Sequence, residues 1–132
     1  MASYPHMAAS DTDIWNRYIA ANPRKYKAVA YDVPVGEGAS FDVTAGGVLG
    51  GNIAKLYQRK IDVIGLTDLE AEVIELKPRA STAALGQVKN YMRLAARDFK
   101  ELRGLRPVII TDVLVPEMEW LAKEEGVELR VV

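Results

Sequence analysis

Two apolar runs, 60–66 and 72–77, lie close together in "KIDVIGLTDLEAEVIELKP", and each has the length and β-branched content of a strand. Thr67-Asp68 begins the connection and Pro78 closes the second run, so the pair reads as a hairpin. A strand repeats every two residues, which places Glu75 and Lys77 side by side on one face. Antiparallel pairing would bring Asp62 to the same patch. Two acids that converge need a divalent cation or a shared proton, and an amine beside them can orient or activate a water. This combination suits metal-assisted hydrolysis of a phosphodiester. The Glu75–Lys77 spacing is also that of an exposed ion pair on a strand surface.

The flanking segments supply the remaining elements. "SDTDIWNRYIAA" (10–21) predicts a short helix with Ser10 or Asp11 as N-cap, stopped by Asn22-Pro23. "KAVAYDVPV" (27–35) predicts a first strand. The stretch 36–51 holds most of the glycines and predicts a loop, a plain connection or a substrate gate. It does not lead into a helix through Lys-Ser or Lys-Thr, which leaves a phosphate-binding P-loop unsupported. After the hairpin, Ser81 or Thr82 caps a helix predicted to reach Leu102, with an apolar stripe at three- and four-residue steps. "RPVIITDV" (106–113) has the near-continuous apolar character of a strand buried on both faces. Pro116 opens a last short helix ending at Gly126, and "VELRVV" is a final strand. The order α-β-β-β-α-β-α-β predicts an α/β fold, a mixed sheet flanked by helices with one parallel crossover. Trp15 and Trp120, each on a short amphipathic helix, are expected in the core. Glu72, an odd number of residues from Glu75, is expected to face away from it.

Composition removes several chemistries. The chain has no cysteine and a single histidine, His6, so thiolate sites, histidine triads and zinc clusters are excluded. A metal site here must use oxygen ligands, which favours Mg2+ or Mn2+. The opening residues 1–9 have the look of a cloning-tag remnant or disordered lead, leaving one domain over 10–132. With no apolar run of membrane-spanning length and no signal peptide, a cytoplasmic protein is expected. Net charge is only −1, but it is segregated. From Lys77 to Arg106 eight basic residues face only Asp98 and Glu101, whereas the segment from Asp112 onward is acidic.

The element order, with Asp62 on the second strand and Glu75-Leu76-Lys77 on the third, resembles the core of the PD-(D/E)XK nuclease superfamily. Gln87-Val88-Lys89-Asn90-Tyr91 on the next helix is similar to the Q-x-x-x-Y motif of its RecB-like branch. The likeness runs from about Ile14 to Val113. Ile61 stands where the family often has proline, and Asp11 and Asp13 are the only candidates for its first-helix acid. The resemblance implies a restriction-endonuclease-like fold and a Mg2+- or Mn2+-dependent nuclease. Asp62, Glu75 and the carbonyl of Leu76 would hold the metal. Lys77 would position or activate the attacking water, and Gln87 and Tyr91 would orient the nucleophile, the lysine or the nucleic-acid backbone. Arg79, Lys89, Arg93 and Arg97 would contact the phosphates of DNA.

Milder readings accompany these assignments. Gln87 and Tyr91 fit a helix-surface pair equally well, and the basic stripe is also what a solvated face looks like. The small size suggests an accessory or phage-type endonuclease, working in the host cytoplasm with a protein partner in packaging or recombination. The alternative is a nuclease-fold module whose site is idle and which binds nucleic acid or protein without turnover. The exposed sheet edge and the apolar "LRVV" end offer surfaces for a homo-oligomer.

Overall fold

The computed structural model describes residues 7–36 and 59–132. Along these residues the elements are α1 (Ala9–Ala21), β1 (Ala28–Val35), β2 (Arg59–Leu66), β3 (Ala71–Arg79), α2 (Thr82–Asp98), β4 (Leu105–Val113), α3 (Pro116–Glu124) and β5 (Glu128–Val131). The glycine-rich stretch from residue 37 onward lies outside the described residues, as does His6. α1 begins at Ala9 and Met7 packs against the core, so the described structure starts inside the segment set aside as a tag remnant.

The strands form one mixed sheet in the order β1-β2-β3-β4-β5. β1–β2 and β2–β3 are antiparallel, whereas β3–β4 and β4–β5 are parallel. There are thus two parallel crossovers, through α2 and α3, where the sequence predicted one: the final strand expected in "VELRVV" is present as β5, and it pairs parallel with β4. No described helix is long and apolar enough to cross a membrane.

The sheet separates two apolar layers. On one face Ile14, Trp15 and Tyr18 of α1 cover Val63, Ile74, Leu76, Val108 and Ile110. On the other, Ala84, Leu85, Val88, Tyr91 and Ala95 of α2, with Met118 and Ala122 of α3, cover Val35, Ile61, Ile64, Val73 and Ile109. β3 and β4 are central and buried on both faces; in β4 the buried stretch Val108–Thr111 is almost wholly apolar, whereas β3 buries Glu72 and Glu75 among its apolar residues.

Three helix expectations need correction. Ala8, not Ser10 or Asp11, is the N-cap of α1, and no side chain caps it. α2 stops at Asp98, with Phe99 leaving helical geometry, although the apolar spacing continues to Leu102. Phe99 and Leu102 still pack inward from a turn closed by Leu102 N–H donating to the Phe99 carbonyl at 3.1 Å, so the spacing survives the helix end. Trp120 is 62% exposed, against the expectation of core packing, because Met118 and Ala122 are the α3 residues that turn inward. Trp15 is fully buried as expected.

At the end of the sheet opposite the Glu-x-Lys pair, Glu72 faces α1 and is 2% exposed. Arg130 holds it with two hydrogen bonds of 2.7 and 2.9 Å, and the Tyr26 hydroxyl donates a third. Burial alone would raise the Glu72 pKa, but Arg130 and Tyr26 overcome this and hold it below the usual carboxylate value. Nearby, Gly104 has φ +59°, and a Cβ there would lie 2.6 Å from the Leu69 carbonyl oxygen. Gly104→Ala is therefore expected to cost about 1–3 kcal/mol, read as a lower urea midpoint.

Candidate active site

The antiparallel β2–β3 ladder runs from Leu66↔Ala71 to Val63↔Ile74. Beyond Val63, Asp62 replaces a backbone acceptor with its side chain: Oδ2 accepts from the Leu76 N–H at 2.9 Å. This bond places the Asp62 carboxylate against the Glu75-Leu76-Lys77 segment, as the hairpin reading required. Glu75 is 2% exposed, and its Oε1 is buried with no hydrogen-bond partner. A buried, unpartnered carboxylate oxygen is costly, on the order of 1–3 kcal/mol, unless a ligand or a proton satisfies it.

Electrostatics follow from this placement. Burial raises the pKa of Glu75 well above the ordinary carboxylate value, and the Asp62 charge raises it further. Lys77 and the Asp62 backbone N–H pull the other way. Asp62 is raised chiefly by burial, against the Leu76 hydrogen bond and Lys77. Lys77 therefore sits within electrostatic reach of both acids, on the strand face it shares with Glu75.

Two further carboxylates act on the pair. Asp11 lies in the first turn of α1; its own pKa is raised by partial burial and lowered by Lys77, and its charge acts on both Asp62 and Glu75. Asp32 lies on β1, and its charge acts on Asp62. The sequence offers Asp11 both as a helix cap and, with Asp13, as a candidate first-helix acid, and it does not single out Asp32. The available signal for Asp32 was an acid within a β-branched strand, where aspartate is disfavoured.

The donor set suits an oxygen-preferring cation in one respect and limits it in another. The orphaned Glu75 Oε1 and the adjacent Asp62 carboxylate are hard oxygen donors. Among the described residues, however, no three His, Cys, Asp or Glu side chains converge to form a complete metal cluster. Within the described residues, further ligands are confined to main-chain oxygens. The Leu76 side chain is fully buried among the α1-side core, so only its backbone is available.

The other expected residues fall into two groups. On α2, Gln87 Nε2 donates to the Tyr91 hydroxyl at 2.9 Å, and Tyr91 is buried on the side of the sheet that α2 covers. Arg79, Arg93 and Arg97 are exposed. Arg93 donates to Asn90 at 3.2 Å and Arg97 pairs with Asp98 at 2.8 Å. Lys89 is held at 2.7 Å by Glu125, beyond α3, so part of the basic stripe is neutralised by the acidic tail.

The architecture is that of an α/β endonuclease-like fold. The chain is similar to the structure described as a repair endonuclease from Pyrococcus abyssi, with 21% identity and a TM-score of 0.59. That match covers 99% of this chain and 49% of the other. The structure of EndoMS in apo form is also similar, at 20% identity and a TM-score of 0.49, covering 96% of this chain and 47% of the other. The chain thus spans about half the length of either structure. No family model matches the chain, and no curated protein matches it either.

Proposed function

We propose that the chain is a metal-dependent nuclease of the PD-(D/E)XK type that hydrolyses DNA phosphodiester bonds. The observation that carries this reading is the buried Glu75 carboxylate beside a half-buried Asp62, with Lys77 next to them and one Glu75 oxygen left unsatisfied. A fold has no stability reason to bring two acids together in a desolvated place, and such perturbed groups concentrate where ligands or reactants complete them. The likeness to a structure described as a repair endonuclease supports the same reading.

In this proposal Asp62, Glu75 and the Leu76 carbonyl hold Mg2+ or Mn2+, which supplies a more acidic water and stabilises the charge developing on the phosphoryl oxygens. Lys77 orients the attacking water or contacts the scissile phosphate, a role open to it because it shares the Glu75 face. Gln87 and Tyr91, already hydrogen-bonded to each other, present a preset polar pair on the α2 side. Arg79, Arg93 and Arg97 receive the phosphates flanking the cut, and Lys89 joins them when it exchanges Glu125 for the backbone.

The test is incubation with supercoiled plasmid and with a labelled single strand, in Mg2+, Mn2+ or EDTA. Cleavage by the parent that needs the cation, and its loss in Glu75→Ala and Lys77→Ala, is the expected result. No cleavage of either substrate, with no calorimetric cation binding that depends on Glu75, would leave the fold as a binding module.

A further inference from the structure

β1 and β2 both break the alternation of a regular strand, and they break it at facing positions. On β1, Tyr31 lies on the α1 side, where its hydroxyl accepts from Trp15 Nε1 at 3.1 Å. Val33, two residues on, packs into the layer under α2 and α3. Regular pleating would have put both on one face. On β2, Val63 belongs to the α1-side layer and Ile61 to the α2-side layer, a second reversal. The pairing Tyr31↔Val63 resumes as Val33↔Ile61, so no residue is inserted. The strands turn over together at Asp32 and Asp62. β3 does not, since Ile74 and Leu76 both stay on the α1 side.

This mismatch has a direct consequence for the site. Once β2 has turned over, its backbone no longer follows β3, and β2–β3 pairing ends at Val63↔Ile74. The Leu76 N–H is then taken by the Asp62 side chain. The turnover on β1 is made by a backbone that most residues resist: Asp32 has φ +51°, and no other described residue except glycine has a positive φ. Aspartate and asparagine tolerate this conformation and glycine adopts it freely, but a β-branched residue does not.

We propose that Asp32 is a positioning residue for Asp62, its left-handed backbone turning β1 over so that β2 can turn with it and aim the Asp62 carboxylate at Leu76. Asp32 acts here through its main chain. The consequence for cleavage rests on the nuclease reading; the consequence for the Leu76 hydrogen bond does not.

The experiment compares Asp32→Asn, Asp32→Gly, Asp32→Ala and Asp32→Val with the parent by amide hydrogen exchange and by plasmid cleavage. Asn and Gly are expected to keep Leu76 exchange and cleavage within about threefold of the parent. Val is expected to speed Leu76 exchange at least about tenfold while Ile109 in the core stays protected. Its cleavage is expected to fall about 10²-fold, the penalty of a misplaced carboxylate. Should Val also expose Ile109, the milder Ala variant carries the same comparison. Equal Leu76 protection in the folded Val or Ala variant and in Gly would overturn the proposal. So would a loss of cleavage in Asn and Gly as deep as in Val, which would make the Asp32 carboxylate itself the active group. A parent that cuts nothing would defeat the nuclease reading alone, and Leu76 exchange would still decide the role of Asp32.

Discussion

Glu75→Gln is expected to stabilise the protein without added cation at neutral pH and to abolish the proposed cleavage. The reason is the sign of the shifts. Burial and mutual repulsion raise the pKa values of Glu75 and Asp62 in the folded state. A raised folded pKa means that the folded protein binds the proton more tightly than the unfolded chain. The associated stability is fully present below the ordinary carboxylate range and is lost as pH rises through the folded values. Glutamine keeps the shape and never ionises, so the variant is expected to exceed the parent by about 1–3 kcal/mol at neutral pH. The gap should close as pH falls below the ordinary carboxylate range. Urea unfolding at several pH values measures it. Adding Mg2+ or Mn2+ should raise the melting temperature of the parent and leave the variant unmoved, with cleavage down by about 10²–10³-fold or more. A variant less stable than the parent at neutral pH would mean that the Glu75 carboxylate is a structural acceptor, and the site reading would fail with it.

The second large effect is predicted far from the candidate site. Arg130→Met should destabilise the fold by about 3–5 kcal/mol at neutral pH, because Glu72 would remain buried without its bidentate partner. Here the sign is opposite to that at Glu75. The folded pKa of Glu72 is depressed, so its contribution is present above the unfolded pKa and is lost as pH falls through the folded one. The deficit of the variant should therefore shrink toward acidic pH, where Glu72 can take a proton. Denaturant titrations at neutral pH and within the carboxylate range give the comparison. The double variant Glu72→Leu with Arg130→Met should recover much of the loss, since no buried charge is left unpaired. A deficit that is small and independent of pH would show that Glu72 does not need Arg130.

Local spacing determined a large part of this molecule. The apolar, β-branched runs 60–66 and 72–77 specified two strands and the shared face of Glu75 and Lys77, because the two-residue period needs no information from elsewhere in the chain. Pro78, expected to close the second strand, does not: β3 runs on to Arg79 because β2–β3 pairing has already ended at Ile74 and pairing with β4 continues to Val113. The apolar stripe from Ala84 to Ala95 specified α2 in the same way, and the Gln87–Tyr91 hydrogen bond follows from residues one helical turn apart. The odd spacing of Glu72 and Glu75 correctly placed them on opposite faces.

What the tertiary structure decided were events that join distant segments or break a period. Arg130 meets Glu72 across 58 positions, and no local pattern carries that pairing. Trp120 has the composition of a core residue, but the turn of α3 that is buried is set by where the sheet lies. Asp11 stands apart from any helix-cap role and acts on Asp62 and Glu75 because α1 packs over β3. Asp32 and Asp62 face each other only after β1 and β2 pair, and the turnover there violates the very alternation by which strands are recognised. Periodicity reveals an element while its neighbours respect it; the chemistry of this site is built where they do not, at the end of a ladder that a carboxylate has to close.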